Sequence, residues 1–247
     1  MKASPEAQLR LLELADLDTE LSRLEHRRRS LPELAELSQL DERAAKVRDA
    51  ITIADTNLAD LDRELARAEK DVEQVRTRIN RDNERLQAGQ VSNARELESL
   101  QSEVVSLKRR QSDLEEAELE LMERRESAQA LRDGAGAEAA KVNADTAEVT
   151  ARRDAALGEI GEQGAKASAA RTAAAGDVPA DLLALYDKIR STSGGLGAAP
   201  LRRGQCGGCR VMLSTVDLNA VRAAAPDEVL RCEECRRILV RTAESGL

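Results

Sequence analysis

All four cysteines of the chain lie within thirty consecutive residues near its C-terminal end. They form two C-x-x-C pairs, Cys206 with Cys209 and Cys232 with Cys235, and 22 residues separate the pairs. A C-x-x-C turn brings two thiolates to about 2.3 Å from one ion, and a second turn completes a tetrahedron of sulfur atoms. Soft thiolate ligands select zinc or iron over magnesium and calcium. The spacing therefore predicts one metal site with four sulfur ligands, and we favour zinc.

Three other uses of these cysteines need to be weighed. Two disulfides would require an oxidising compartment, but the segment Met1–Glu6 leads directly into charged sequence without an apolar signal region. A thioredoxin-like redox site would need one C-x-x-C beside a βαβ unit, and this pattern is absent from the sequence. A single iron ion uses similar sulfur geometry, so the sequence leaves iron open, although aromatic residues that would shield a redox centre are missing.

The predicted metal site has consequences for residues 200–247. Four thiolates complete the coordination shell and leave no position for water, so we expect one structural Zn²⁺ rather than a catalytic ion. A segment this short that contains no aromatic residue has too little apolar surface to be stable by burial alone. Short strands are expected within Arg210–Leu213, Val229–Arg231 and Arg237–Arg241, and a short helix within Asp217–Ala224. We therefore predict a small β-rich zinc ribbon.

The rest of the chain has the composition of long helices. Phenylalanine and tryptophan are absent, Tyr186 is the single aromatic residue, and 34% of the residues are charged. From Leu37 to Leu86, apolar residues recur at alternating steps of three and four, and only Asp82 interrupts this seam. Such spacing predicts a coiled-coil helix. Leucines upstream keep the same spacing as far as Pro32, which either kinks or ends the helix.

A second helix is predicted after a reversal of the chain. Gly89 is typical of a helix C-terminus, and Ser92 or Asn93 of the next N-cap. A second apolar seam then extends from Leu97 to Ile160. We predict a mainly α fold, with a long antiparallel coiled-coil hairpin and a small C-terminal β-rich zinc ribbon. The expected domains are the hairpin at 1–176 with its turn near 87–92, a short helix and flexible joint at 177–199, and the ribbon at 200–247.

The charge distribution bears on the binding partners. The net charge is −8, but residues 200–247 carry eight arginines against six acidic residues. Six of these arginines surround the cysteine pairs and could either contact phosphate or form a solvated surface: Arg202, Arg203, Arg210, Arg231, Arg236 and Arg237. Because this excess of positive charge is small, it gives no support to non-specific DNA binding. Nucleic-acid binding through the ribbon arginines remains the alternative to protein binding.

Nothing in the sequence indicates an enzyme. His26, the only histidine, lies off the leucine seam and is expected to be solvated. The glycine-rich segments lack the strand-to-helix context of nucleotide-binding loops. No apolar stretch is long enough to cross a membrane, and we expect a cytoplasmic protein. The sequence leaves the oligomeric state open.

The order of these elements resembles a bacterial family of uncharacterised proteins with an N-terminal coiled-coil hairpin and a C-terminal four-cysteine zinc ribbon. The resemblance covers essentially the whole chain. It rests on the segment Asn93–Val104, on Leu114-Glu115 and Leu121-Met122-Glu123, and on the cysteine segments Cys206–Cys209 and Cys232–Leu239. In two places this chain departs from the family, which usually has glycine at Arg236 and an aromatic residue at Val240. An aromatic residue is also common at Ala94 or Leu97.

The resemblance implies zinc bound by cysteine and a non-enzymatic role. Members of the family are regarded as adaptors for protein partners or as nucleic-acid binders. Our leading hypothesis is a scaffold or adaptor with two contact surfaces, the hairpin tip around Leu86–Leu97 and the zinc ribbon.

Overall fold

The structure is a computed structural model that describes residues 1–89 and 93–247. The five helices in this part of the chain are α1 (Pro5–Arg29), α2 (Pro32–Gln87), α3 (Ala94–Gly176), α4 (Ala180–Thr192) and α5 (Thr215–Ala223). The strands are β1 (Ala198–Arg202), β2 (Gln205–Cys206), β3 (Leu230–Arg231) and β4 (Ile238–Val240). These elements form two compact units. We call Glu36–Val149 the hairpin unit, and Met1–Ala35 together with Thr150–Leu247 the terminal unit.

In the hairpin unit, α2 and α3 pair antiparallel along an apolar seam. Ion pairs give the direction, since Arg85 of α2 meets Glu96 near the start of α3, whereas Arg43 meets Glu138 far along it. The buried seam contains Leu61, Val72, Ile79, Leu100, Val104, Ala128 and Val142. Exposed ion pairs contribute little to stability, so burial of this seam holds the helices together. The predicted coiled-coil hairpin is confirmed.

The predicted turn near 87–92 lies partly within the described residues. Helix α2 ends at Gln87, and Gly89 has the left-handed φ of 61° that suits a glycine after a helix. Asn93 begins the next helix, because its Oδ1 accepts a hydrogen bond from the Arg95 amide at 3.0 Å. The other N-cap candidate, Ser92, lies outside the described residues, as do Gln90 and Val91.

Asp82, the one break in the predicted seam, is almost completely buried. Its nearest guanidinium nitrogens are Nε of Arg81 at 3.7 Å and Nε of Arg78 at 4.0 Å, both too far for a hydrogen bond. Within residues 1–89 and 93–247, its Oδ2 atom has no hydrogen-bond partner. A buried carboxylate of this kind lowers stability, so Asp82 opposes the pairing that the surrounding leucines favour.

We therefore expect Asp82→Leu to raise the free energy of unfolding of the hairpin by about 1–3 kcal/mol. The leucine would remove a buried charge and complete the seam. Urea denaturation followed by far-UV circular dichroism measures the change. Asp71→Leu is the matched control, because Asp71 is an exposed aspartate of the same helix. A decrease in stability for Asp82→Leu would show that the carboxylate stabilises the hairpin, contrary to this argument.

The terminal unit starts with α1, which is separate from α2. Ser4 caps the start of α1, where its Oγ accepts a hydrogen bond from the Ala7 amide at 3.2 Å. At the other end, Ser30 donates from Oγ to the His26 carbonyl at 2.9 Å and so closes α1. Pro32 is the first residue of α2. The proline therefore marks a break between two helices rather than a kink within one.

Helices and ribbon strands share one core in the terminal unit. Leu11 and Leu14 of α1 pack with Tyr186 of α4 and with Ile238 and Val240 of β4. All five side chains are buried, and Tyr186 is fully enclosed. The small ribbon therefore gains apolar burial from the two helices, in addition to any stability from its metal. The sequence did not predict this shared burial.

The sheet of the ribbon has the strand order β2-β1-β4-β3, in which β1 and β4 run parallel and the other pairs antiparallel. Strands β3 and β4 lie within predicted segments, whereas β1 and β2 were not predicted. The predicted strand at Arg210–Leu213 contributes only an isolated bridge between Met212 and Gln205. The N-terminus extends the ribbon, since the Ala3 amide donates to the Asp227 carbonyl at 2.8 Å.

A buried carboxylate joins three helices of the terminal unit. Asp18 of α1 pairs with Nε of Arg171 in α3 at 2.7 Å and with Nε of Arg190 in α4 at 3.0 Å. The hydroxyl of Tyr186 donates a hydrogen bond to Asp18 at 2.6 Å. Burial raises the pKa of Tyr186, and this hydrogen bond raises it further. We call these four residues the Asp18 cluster.

In the described part of the chain, none of the helices combines the length and apolar character needed to span a membrane.

Gly197 lies where the helices meet the sheet. A Cβ atom on Gly197 would be 2.6 Å from the Tyr186 carbonyl oxygen and 2.7 Å from its ring, so this close approach needs glycine. We expect Gly197→Ala to lower the free energy of unfolding by about 2–3 kcal/mol. Gly158→Ala is the control, because Gly158 lies within α3 with open space around it, and alanine there should add about 1 kcal/mol. Denaturant melts of the zinc-loaded proteins test the pair; equal stability of Gly197→Ala and wild type would contradict this packing.

Candidate metal centre

The short strands of the ribbon place the four cysteines in two matching turns. Cys206 ends β2 and Cys232 directly follows β3, so each pair begins where a strand stops. Each turn closes with the same bond. The Arg210 amide donates to the Cys206 carbonyl, and the Arg236 amide to the Cys232 carbonyl, both at 2.8 Å. We call these two turns the first and second knuckle.

The four sulfur atoms converge on one point. All Sγ atoms lie within 4.8 Å of one another, and the Cys206–Cys235 and Cys209–Cys232 pairs are each 3.9 Å apart. A tetrahedron with metal–sulfur bonds of about 2.3 Å has edges of about 3.8 Å. None of the four cysteines forms a disulfide. The spacing therefore fits one tetrahedral ion with four thiolate ligands.

The electrostatics of the cluster also fit a cation. Burial raises the pKa of Cys206 to about 12, and the thiolates of Cys232 and Cys235 add to this effect, although two backbone amides oppose it. Burial raises the pKa of Cys232 as well. Burial also acts to raise the pKa of Cys235. Hydrogen bonds from the Arg237 amide and, to a lesser extent, from Cys232 outweigh this effect and lower the pKa of Cys235 to about 7. A divalent ion compensates such crowding of thiolates, and the centre is that of one structural Zn²⁺.

Two glycines of the first knuckle are needed for space. A Cβ atom on Gly207 would lie 3.0 Å from the Pro200 carbonyl oxygen, and one on Gly208 would lie 2.8 Å from Cδ of Arg237. Neither glycine has a positive φ. Close packing against Pro200 of β1 and against Arg237, rather than an unusual backbone angle, therefore accounts for these glycines. The Gly208 amide points at the sulfur of Cys206.

Positive φ occurs instead in the arginine after each knuckle. Arg210 has a φ of 58° and Arg236 a φ of 61°. Side chains other than glycine adopt this left-handed region at a cost of about 1–2 kcal/mol. The glycine that the resemblance implies at position 236 would avoid this cost. The φ angle explains why a glycine suits that position.

We expect Arg236→Gly to raise the free energy of unfolding of the zinc-loaded protein by about 0.5–1 kcal/mol, because relief of strain exceeds the entropic cost of glycine. Denaturant unfolding at a fixed zinc concentration measures this gain. Arg222→Gly is the control, since Arg222 lies in α5 and a helical glycine should instead lower stability by about 1 kcal/mol. Loss of stability in both variants would contradict the strain at Arg236.

Most of the arginines predicted to contact phosphate already have partners within the chain. Arg237 donates to the Leu196 carbonyl at 3.1 Å and also to the Ser193 carbonyl. Arg231 donates to the Arg236 carbonyl at 3.0 Å. The segment before β1, which the sequence assigns to a flexible joint, is therefore bonded to the second knuckle through Arg237. The predicted domain boundaries themselves remain a prediction.

The other four predicted arginines are exposed. Arg202 pairs with Glu244 at 3.3 Å and Arg236 with Glu233 at 3.4 Å, both at the surface. Within the described residues, the side chains of Arg203 and Arg210 have no hydrogen-bond or ion-pair partner. Contact of these residues with nucleic acid stays a prediction.

Sequence reasoning missed the role of Arg241. Its guanidinium donates to the Ala224 carbonyl at 2.8 Å and to the Ala225 carbonyl at 2.5 Å, and it reaches the Glu228 carbonyl at 3.3 Å. These bonds fix the end of α5 and the loop that leads to β3 and the second knuckle. The only signal in the sequence was an arginine at the end of a predicted strand, which does not identify its partners.

Comparisons with known proteins agree with this architecture. Residues 14–194 match a family described as the CT398-like coiled coil hairpin domain, and residues 205–239 match the C4-type zinc ribbon domain. An uncharacterised protein of Mycobacterium tuberculosis strain H37Rv is 38% identical over 241 residues, which cover 98% of each chain. A solved structure from Mycobacterium smegmatis has a TM-score of 0.86 and 35% identity, and the match covers 98% of this chain and 100% of the other.

A more distant structure shows the same fold. CT398 from Chlamydia trachomatis has a TM-score of 0.69 and 19% identity, and the match covers 96% of this chain and 98% of the other. At this identity, the likeness concerns the fold alone.

Proposed function

The chain belongs to the family of CT398-like coiled-coil hairpin proteins, and on this basis we propose that it is a non-enzymatic, zinc-binding adaptor in the cytoplasm. The zinc ribbon and the hairpin tip would bind macromolecular partners, with proteins as the principal ones. The family membership agrees with the resemblance identified in the sequence. The relative from Mycobacterium tuberculosis is described as uncharacterised, so the proposed role is argued from this chain's own residues.

The closed metal centre carries this proposal. Four sulfur ligands occupy the tetrahedral positions around one ion, so no position remains for a substrate or an activated water. Within residues 1–89 and 93–247, no other group of histidine, cysteine or acidic residues is arranged to hold a metal. A zinc ion of this kind holds a surface in shape, which favours a binding role for the ribbon.

Exposed apolar residues of the ribbon support a protein partner. Met212 is 60% exposed and Val216 is 77% exposed, and Val211 beside them is also exposed. Val211 and Met212 follow the first knuckle, and Val216 lies in the first turn of α5. Exposed apolar residues that cluster beside polar groups mark interaction surfaces. Leu97, close to the hairpin tip, is exposed as well.

The arrangement of the arginines favours protein over nucleic acid. Arg231 and Arg237 are bonded to backbone carbonyl groups, which leaves at most four of the six predicted arginines for phosphate. Nucleic-acid binding without sequence preference depends on many phosphate contacts and falls steeply with salt. We therefore expect no mobility shift of RNA or DNA at low salt. A salt-sensitive shift that is lost in a combined Arg203→Ala and Arg210→Ala variant would support the nucleic-acid alternative.

Quantitative co-purification from the native cell tests the adaptor role. The bait is the full chain, compared with Val216→Asp in the ribbon and Leu97→Asp near the tip. Ile53→Asp is the control, because Ile53 is an apolar residue of α2 that is 70% exposed and belongs to neither surface. We expect each of the two surface variants to lose a reproducible set of proteins that wild type and Ile53→Asp retain. Identical sets for all four baits would contradict the proposal.

A further inference from the structure

We propose that a cleft between α1 and the zinc ribbon binds an extended acidic segment of a partner protein. The inference rests on the adaptor role proposed above and assigns it a site and a ligand chemistry. The cleft has a volume of about 790 Å³ and lies entirely within the terminal unit. Its α1 wall includes Leu12, Ala15 and Arg23, and its ribbon wall includes Ala199, Pro200 and Arg210.

The floor of the cleft suits apolar side chains. Ala15 and Ala199 line the cleft and are almost completely buried, while Leu12 and Pro200 are partly exposed. Ligand sites typically have volumes of about 300–1,000 Å³, with apolar walls and a few polar groups that fix orientation. The cleft is therefore large enough for several residues of an extended peptide.

The charge of the cleft selects an acidic ligand. Three arginines line it, Arg23, Arg202 and Arg210, against the two acidic residues Asp16 and Glu244. The arginine side chains of the cleft thus outnumber its acidic side chains by one, in a chain whose net charge is −8. Carboxylates and guanidinium groups form bidentate hydrogen bonds, which makes arginine a selective partner for acidic side chains.

The arginines are also available. Within residues 1–89 and 93–247, the side chains of Arg23 and Arg210 have no ion-pair or hydrogen-bond partner. Arg202 pairs with Glu244 at 3.3 Å, but both side chains are more than half exposed. Such a surface pair contributes little and is readily exchanged for a ligand carboxylate. Because Arg23 projects from α1 and Arg210 from the first knuckle, a ligand in the cleft can meet an arginine on each wall.

An acidic peptide fits these groups better than nucleic acid does. Asp16 and Glu244 would repel a continuous row of phosphates, whereas a peptide can place its carboxylates at the arginines and its apolar or neutral residues elsewhere. Strand addition to β1 is disfavoured, since β1 already pairs with β2 on one side and with β4 on the other. The ligand is therefore recognised mainly through its side chains.

Selection from a display library of random peptides tests this proposal and does not require the cellular partner to be identified first. The zinc-loaded full chain is the target, and the double variant Arg23→Glu with Arg210→Glu serves for counter-selection. We expect the selected peptides to be enriched in aspartate and glutamate next to apolar residues. A labelled peptide from this pool, measured by fluorescence anisotropy, should bind the double variant at least about tenfold more weakly than wild type.

Two further variants separate a specific cleft from general charge effects. Arg222→Glu reverses an exposed arginine of α5 that does not line the cleft, and it should keep wild-type affinity. Ala243→Trp fills the cleft at an exposed position without a change of charge, and it should weaken binding as the double variant does. Near-UV and far-UV circular dichroism spectra confirm that each variant is folded.

Three results would overturn the proposal. These are selected peptides without acidic enrichment, peptides that bind the double variant as well as wild type, and equal weakening by Arg222→Glu. Labelled single-stranded DNA is tested in parallel, and binding that depends on Arg23 and Arg210 would assign the cleft to nucleic acid instead. If the co-purified proteins still depend on Val216 or Leu97 while the cleft variants have no effect, the adaptor role stands and the cleft assignment fails.

Discussion

Removal of zinc is expected to abolish the near-UV circular dichroism of Tyr186 while most of the far-UV helical signal remains. Tyr186 is the single aromatic residue of the chain, so its near-UV signal reports on one place, the core of the terminal unit. Structural zinc sites contribute about 10–16 kcal/mol of apparent binding free energy in small modules. Loss of this contribution exceeds what the small ribbon can replace by burial.

The connection from the metal to Tyr186 is short. Two residues after Cys235, Arg237 bonds to the segment before β1. The next residue is Ile238, whose amide donates to the Gly197 carbonyl at 3.0 Å. Gly197 in turn lies against the Tyr186 ring. When the knuckles open, β1 and β4 lose their anchor and leave the core that they share with α1 and α4. The sequence alone indicates that residues 200–247 depend on the metal, whereas the shared core extends this dependence to the packing of α1 and α4.

A chelator titration followed by both spectral regions makes the measurement. Elemental analysis confirms that the metal has been removed, and added Zn²⁺ should restore the near-UV signal. Cys232→Ser should reproduce the metal-free spectrum, because three sulfur ligands and a hydroxyl hold zinc far more weakly. An unchanged Tyr186 signal in protein shown to be free of metal would contradict the coupling between ribbon and core.

The sequence predicts the elements whose signals are local. The spacing of leucines from Leu37 to Leu86 predicts a helix because an α-helix repeats its faces every few residues. The cysteine spacing predicts the two knuckles for a similar reason, since each C-x-x-C pair closes over four residues. Both predictions need only neighbouring residues, and the structure agrees with both.

The sequence does not reveal partners that are distant along the chain. Leu14 has the spacing of a coiled-coil seam, but it packs with Tyr186 and Ile238 in the shared core. The spacing identifies an apolar face without saying what covers it. Strand β1 was missed for the same reason, because Ala198–Arg202 has no alternating pattern and becomes a strand by pairing with β4. Even the buried Asp18 looks like any polar residue of a helix until α3 and α4 are placed beside it.

Loss of the Asp18 carboxylate is expected to destabilise the terminal unit strongly. The side chain of Asp18 is completely buried. It forms ion pairs with Arg171 and Arg190 and accepts a hydrogen bond from the Tyr186 hydroxyl. Asp18→Ala would leave two guanidinium groups and a buried hydroxyl without this partner. Breaking a buried ion pair in this way costs about 3–5 kcal/mol. Because the Arg171 and Arg190 side chains are 21% and 37% exposed, we expect the lower end of this range.

A series of variants distinguishes charge from packing in the Asp18 cluster. Tyr186→Phe removes one hydrogen bond and should cost about 1 kcal/mol. Asp18→Asn keeps the shape and an acceptor but loses the charge, so its effect should lie between those of Tyr186→Phe and Asp18→Ala. Asp16→Ala is the control, since Asp16 is an exposed aspartate within one helical turn of Asp18. This variant should change the free energy of unfolding by less than about 0.5 kcal/mol.

Urea unfolding of the zinc-loaded proteins provides the comparison. Far-UV signals follow every variant, and the near-UV signal of Tyr186 follows the core in the Asp18 and Asp16 variants. We expect the order of stability to be Asp16→Ala, Tyr186→Phe, Asp18→Asn and then Asp18→Ala as the least stable. If Asp18→Ala were as stable as Asp16→Ala, the buried carboxylate would contribute nothing, and apolar packing alone would have to hold α1, α3 and α4 together. Arg171 also pairs with Asp187 at 2.8 Å, so it keeps one ion pair in Asp18→Ala. The Tyr186 hydroxyl, in contrast, loses its hydrogen-bond acceptor in that variant.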